Sequence, residues 1–380
     1  RNRTMIRCLA GIWLAIAIPL YAQEFDLLLK GGRVIDPRNG IDGQLDVAIK
    51  EGRIASVRAG IPDNAAKKII DVKGLIVCPG IIDIHTHVFV GGKPDVFADG
   101  TYSVSADDFA PRNGVTTVVD AGTSGWRNFE LFKYNVIDRS RTRILAFLNI
   151  AGSGMTGNPD QQNIADMDAS ATAAMINKHP GTIVGVKIGH YEGKDRAPLD
   201  RTFQAAETGK VPVLMECHLP EYSLAEQLNR MRPGDIITHS FENITERDPI
   251  LDKNGQLREE VTLAQNRGIK FDLGHGGYGF WFNVARPASQ QGLWPHTFGT
   301  DLHRFSMNAG MKGMTNVLSK FLSLGMSLPD LIRRATWNAA EVINRTDLGH
   351  LSVGATADIA VLRKMKGKFG YVDSGGERIY

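Results

Sequence analysis

Cysteine is scarce in this chain, with three in 380 residues. Cys8 falls in an N-terminal stretch expected to be removed. Cys78 and Cys217 sit in the apolar runs Leu-Ile-Val-Cys-Pro and Leu-Met-Glu-Cys-His, where a buried reduced thiol is expected. A disulfide-stapled scaffold is therefore not expected. Charge of one sign is lacking too: the formal net charge is +3, and Arg1, Arg3 and Arg7, with no acid before Glu24, account for it. The near-neutral remainder offers no electrostatic footprint for nucleic acid or a charged membrane surface. After the first apolar strand, Val88-Phe89-Val90-Gly91-Gly92-Lys93-Pro94 has neither G-x-G-x-x-G nor P-loop spacing, which argues against a doubly wound nucleotide fold. The chain also has no internal repeat and no low-complexity segment.

Met5 to Ala22 has a basic start, an apolar run and a small residue at its end, the pattern of a cleaved secretory signal peptide over residues 1–22. The apolar run is shorter than the roughly 20 residues of a spanning helix. The mature protein is expected in the periplasm or outside the cell, without stable membrane insertion.

From Glu24 to Val77 the chain reads as short strands with tight turns, and Glu51-Gly52 between two β-rich runs signals a hairpin. Gly349 to Leu362 again reads as turn then strand. One small β-sandwich module is therefore expected from residues 23–78 and 347–380, flanking a catalytic domain over residues 79–346. Inside that domain, apolar strands are expected at Ile81–Val88, Val115–Ala121, Ile144–Ile150, Ile183–Ile188, Val211–His218, Ile236–Ser240, Lys270–Gly274 and Thr297–Asp301, alternating with amphipathic helical stretches. This α/β pattern predicts a (β/α)8 TIM-type barrel.

Barrel enzymes take their catalytic side chains from the C-terminal ends of the strands. Here those ends carry His85 and His87, Lys187, His218, His239 and Asp301. His85 and His87, one residue apart on a strand, share a face. Neutral imidazoles with a carboxylate suit zinc and related divalent ions. His275, among glycines beyond the seventh strand, is expected to contact substrate or an oxyanion, and Tyr278, Phe280 and Trp281 to form an aromatic wall.

The run Pro79-Gly80-Ile81-Ile82-Asp83-Ile84-His85-Thr86-His87, the distal Gly299-Thr300-Asp301 and the tail Ala335-Thr336-Trp337-Asn338-Ala339-Ala340-Glu341 with Gly354 to Leu362 resemble the amidohydrolase superfamily. Within it the chain is similar to the dihydroorotase-like, two-metal branch, closest to the amidohydrolase/deacetylase metallohydrolases, over almost the whole mature chain. The resemblance implies that His85, His87 and Asp301 hold a first metal ion, zinc in keeping with the donor set, and that His218 and His239 hold a second. It implies that Lys187, carboxylated by carbon dioxide, bridges the two; left unmodified, Lys187 would pair with an acid at the barrel mouth. A bridging hydroxide would then attack the substrate, with Asp301 as general base and acid.

The implied activity is hydrolysis of a small acyl amide, cyclic amide or ester, with no nucleic-acid partner and with room for a homo-oligomer. The segment Ile188-Gly189-His190-Tyr191-Glu192 departs from the small and basic residues expected of the closest relatives, which leaves the substrate class open. Two rivals stand beside this reading. One is a single-metal deaminase using Glu216, which shares a strand face with His218; the other is a non-enzymatic barrel scaffold.

Overall fold

The computed structural model describes residues 23–90, 103–155, 160–216 and 219–380. The expected signal segment, Cys217 and His218 lie outside the described residues.

The first five strands, β1 (Phe25–Asp36), β2 (Ile41–Lys50), β3 (Arg53–Arg58), β4 (Ala66–Asp71) and β5 (Ile76–Pro79), form one mixed sheet. Glu51 and Gly52 join β2 to β3 with φ of 50° and 70°, the left-handed pair that matches the twist of a two-residue hairpin. The register of β1 on β2 shifts between Leu29 and Gly32. Beyond this bulge β1 exchanges β4 for β5 as its second neighbour. From the far end of the chain a later strand, Ile359–Leu362, pairs antiparallel with β5.

Seven parallel strands follow in sequential order: β6 (Ile81–Thr86), β7 (Val115–Gly125), β8 (Arg143–Asn149), β9 (Ile183–Ile188), β10 (Val213–Glu216), β11 (Ile236–Thr238) and β12 (Lys270–Phe271). Helices come after them, including Phe129–Asn135, Ala169–Lys178, Ala197–Gly209, Leu224–Arg230, Glu259–Arg267 and Phe282–Gln290. An eighth segment followed by helix Met314–Ser323 closes the ring, giving the expected TIM-type barrel. The seam consists of two isolated parallel bridges, Asp272 to Thr297 on one side and Thr86 to Leu302 on the other.

Thr297–Asp301 was expected to be a regular strand, and the reason for its irregularity is local. Asp301 has a left-handed φ of 48°. In addition, buried carboxylates take backbone donors that a ladder would use: Gly299 N–H donates to Asp272 Oδ1 at 2.8 Å and Thr300 N–H to Asp83 Oδ1 at 3.0 Å. Buried backbone groups must be paired, and here side chains pair them.

Apolar residues from six successive strands, among them Ile84, Val119, Phe147, Val184, Leu214 and Ile236, meet Ala339, Val342 and Leu348 in one buried cluster that fills the barrel. A larger cluster lies between the strands and the surrounding helices. Strand β13 (Ile359–Leu362) completes the terminal sheet. The last two strands, β14 (Tyr371–Val372) and β15 (Arg378–Ile379), form a separate two-stranded ribbon. That ribbon docks on the barrel, where Phe282 N–H donates to Asp373 Oδ2 at 2.9 Å and Ser374 N–H to the Phe280 carbonyl at 2.9 Å. Residues 347–380 are thus divided between the terminal sheet and the barrel surface. No helix among the described residues is long and apolar enough to cross a membrane.

Candidate metal centre

The site begins with a slip in β6. Its register against β7 shifts between Asp83 and Thr86, and such a bulge re-aims the side chains that follow it. His85 and His87 both come to lie beside Asp301: His87 Nε2 is 3.1 Å and His85 Nε2 3.5 Å from Asp301 Oδ1. All three residues are buried.

The hydrogen bonds of His85 define its tautomer. The Thr238 hydroxyl donates to Asp272 Oδ2 at 2.7 Å, so it can only accept from His85 Nδ1, 2.9 Å away. The proton therefore sits on Nδ1, and the Nε2 lone pair faces the site. Nε2 is buried without a hydrogen-bond partner, a costly arrangement for a polar atom unless something else satisfies it. Burial first, then the Lys187 ammonium, push the His85 pKa down to about 4, which keeps that lone pair available. The second histidine is held similarly, with His87 Nδ1 2.9 Å from Thr123 Oγ1. Such outer partners fix the orientation of metal-binding imidazoles.

On the other side of His85, Lys187 at the end of β9 lies with its Nζ 2.9 Å from Glu216 Oε1, and both side chains are almost wholly buried. His239 Nε2 is 3.4 Å from the same oxygen, while its Nδ1–H donates to the Gly274 carbonyl at 2.7 Å. Burial alone would lower the His239 pKa, but the hydrogen bond and charge of Glu216 carry it up to about 8. His190 Nε2 stands 3.1 Å from Glu216 Oε2. Two groups of donor atoms thus lie within 4.8 Å of one another, one formed by His85, His87 and Asp301 and the other by His85, Glu216 and His239.

Burial would raise the Asp301 pKa, yet the charge of His303 and its hydrogen bond, followed by His85 and His87, hold it well below the ordinary carboxylate range. Gly276, at φ 48°, leaves room for this carboxylate, since a Cβ there would sit 2.2 Å from Asp301 Oδ2. His190, His239 and Asp301 are three of the seven non-glycine residues with positive φ among the described residues. Left-handed backbone of this kind concentrates at functional sites.

The structure brings together His85, His87, Lys187, His239 and Asp301; His218 lies outside the described residues. His275 is fully buried. Its Nδ1 bonds the Gly276 carbonyl at 3.0 Å and its Nε2 accepts from Lys320 Nζ at 2.7 Å, so both nitrogens are engaged within the protein. Burial first, then the Lys320 charge, push its pKa down to about 3. The expected aromatic wall divides. Phe280 is core, Trp281 is half-buried, and Tyr278 is exposed. His303, 3.6 Å from Asp301 Oδ2, had no signal in the strand pattern because it follows the eighth segment in an irregular turn.

A closed parallel barrel with imidazoles and carboxylates gathered at one mouth defines a metal-dependent TIM-barrel hydrolase. Residues 283–376 match the model of the amidohydrolase family. A deacetylase of Agrobacterium fabrum is 31% identical over 334 residues, covering 86% of this chain and 80% of its own length. Solved structures described as a dihydroorotase and an adenine deaminase are 29% and 28% identical, with TM-scores of 0.83 and 0.82, each alignment covering 93% of this chain and 94% of the other. The chain belongs to the amidohydrolase family and is a hydrolase acting on carbon–nitrogen bonds.

Proposed function

We propose that this enzyme is a two-metal deacylase that removes an acyl group, acetyl in the first instance, from the nitrogen or oxygen of a small molecule. The carrying observation is the pair of adjoining donor groups that share His85. The buried Nε2 of His85, with its lone pair directed into the site and no hydrogen-bond partner, fits a metal ion. His85, His87 and Asp301 would hold one ion and His239 would help to hold the other, with Lys187 between them as a carboxylated bridge. Zinc suits this imidazole and carboxylate set. When bound, the ions supply Lewis acidity that lowers the pKa of a water molecule and polarises the scissile carbonyl.

The chain's own residues then move the proton. Asp301, kept ionised by His303, His85 and His87, takes a proton from the attacking water and delivers it to the leaving nitrogen or oxygen. Thr238 and Asp272 keep the His85 proton on Nδ1. Lys187 as a bare ammonium would repel the ions, and carboxylation converts it to an anionic ligand. The basic start and apolar run of Met5 to Ala22 support export to the periplasm or beyond. Deacetylase relatives support acyl transfer to water over the single-ion deaminase reading.

Metal analysis joined to a screen of N-acyl amino acids, cyclic imides and acyl esters tests the proposal on zinc- and manganese-loaded protein. Two equivalents of metal with turnover of an acyl substrate is the expected result. One equivalent with ammonia release from an aminated heterocycle would overturn it.

A further inference from the structure

Glu216 is a buried carboxylate at the mouth to which the expected ligand set assigns no role, and its surroundings are those of a ligand. Leu214 belongs to the cluster inside the barrel, and side chains two apart on a strand share a face, so Glu216 at the end of β10 turns inward directly above that core. Its side chain is 2% exposed. Oε1 lies 2.9 Å from Lys187 Nζ and 3.4 Å from His239 Nε2, and Oε2 lies 3.1 Å from His190 Nε2. A ligand oxygen of Glu216 falls within 4.8 Å of ligand nitrogens on both His85 and His239, and its 3.4 Å to His239 Nε2 is a separation that donors about 2.0–2.2 Å from one ion can take. The backbone is shaped around the carboxylate as well: a Cβ at Gly189 would stand 2.4 Å from Glu216 Oε2.

We propose that Glu216 is the metal ligand contributed by the fifth barrel strand, completing the second ion's site with His239, and that His218, two residues further on, is not required for that ion. The inference rests on the two-metal reading above. A buried carboxylate needs an opposite charge close by. Before metal loading the Lys187 ammonium supplies it, and after loading the ion does. Glu216 therefore has two successive partners, and its release from Lys187 accompanies assembly of the centre. His190 Nε2 stands beside the opposite oxygen, Oε2, at 3.1 Å.

The test is metal counting by mass spectrometry after equilibrium dialysis, with the visible absorption of the cobalt-substituted protein as an independent reading of ligand identity. Wild type is expected to hold two ions, Glu216→Gln one, and His218→Ala two. Glu216→Gln leaves Lys187 facing an amide and can impair folding, so Glu216→Asp is measured beside it. That variant keeps the charge opposite Lys187, and it is expected to stay folded while binding the second ion at least tenfold more weakly, with a changed cobalt spectrum. Two ions and an unaltered spectrum in both Glu216 variants, with one ion lost in His218→Ala, would overturn the assignment and leave the two-metal reading standing. A single ion in the wild type itself would overturn both.

Discussion

Asp301 owes its position to a left-handed backbone angle and to a neighbouring glycine, and its charge to three imidazoles. Asp301→Asn keeps the shape and removes the proton acceptor. Turnover should fall by about 10²–10⁴-fold, the usual worth of general acid–base catalysis, while metal analysis should find most of the metal retained; undiminished turnover would remove Asp301 from the proton path. A second residue-scale feature is Lys320, fully buried, which donates to His275 Nε2 and to the Gly310 carbonyl, both at 2.7 Å. Burial pulls its pKa from 10.5 down to about 7. Between those two values the unfolded chain holds a proton that the folded chain has released, so this site's contribution to stability rises with pH across that window. Denaturant titrations at pH 7 and 9 should show wild type gaining on Lys320→Met as pH rises, by at most about 1.4 kcal/mol per pH unit. A constant difference between the two proteins would show that Lys320 does not titrate in that range.

Among the elements, the eighth barrel segment is held by side chains where a ladder would ordinarily serve. Asp83 accepts from Thr300 Oγ1 at 2.5 Å and from Thr300 N–H at 3.0 Å, which fastens the segment to β6. Burial pushes the Asp83 pKa up to about 7, against the hydrogen bonds of Thr300 and His85. Thr300→Val deletes one donor to this buried carboxylate and should cost about 1–3 kcal/mol, read as a lowered urea midpoint. Because Asp301 is the next residue, the same variant should lose turnover beyond its loss of stability. An unchanged midpoint would mean that the backbone bridges alone hold the seam. In the 371–379 ribbon the Asp373 carboxylate accepts from the Gly375 and Glu377 N–H groups of its own turn and from Phe282 N–H of the barrel, a docking bond that Ser374 N–H adds to at the Phe280 carbonyl. The ribbon covers the barrel near Phe280, which packs 5.0 Å from His275.

For the whole molecule, metal binding and stability should be linked, because His85 Nε2 is buried without a hydrogen-bond partner and a bound ion would satisfy it. Removing metal with a chelator should lower the melting temperature, and zinc should restore it. At a free concentration near 100 times the dissociation constant the gain is about 2.7 kcal/mol per independent site. A melting temperature indifferent to metal would contradict an ion at this site. The barrel, the alternation of strands and helices, and the positions of His85, His87, Lys187, His239 and Asp301 at strand ends were all legible in the sequence. Period-two apolar runs and strand-end polar residues are local patterns, and a barrel converts strand ends into one site whatever the loops do. Three features were decided only in three dimensions: the pairing of Glu216 with Lys187, the engagement of His275 by Lys320, and the docking of the final ribbon on the barrel. Each depends on contacts between residues far apart in the chain, 29 positions for Lys187 and Glu216 and 45 for Lys320 and His275. Periodicity states which face a side chain takes, and only the packed fold states which partner it meets there.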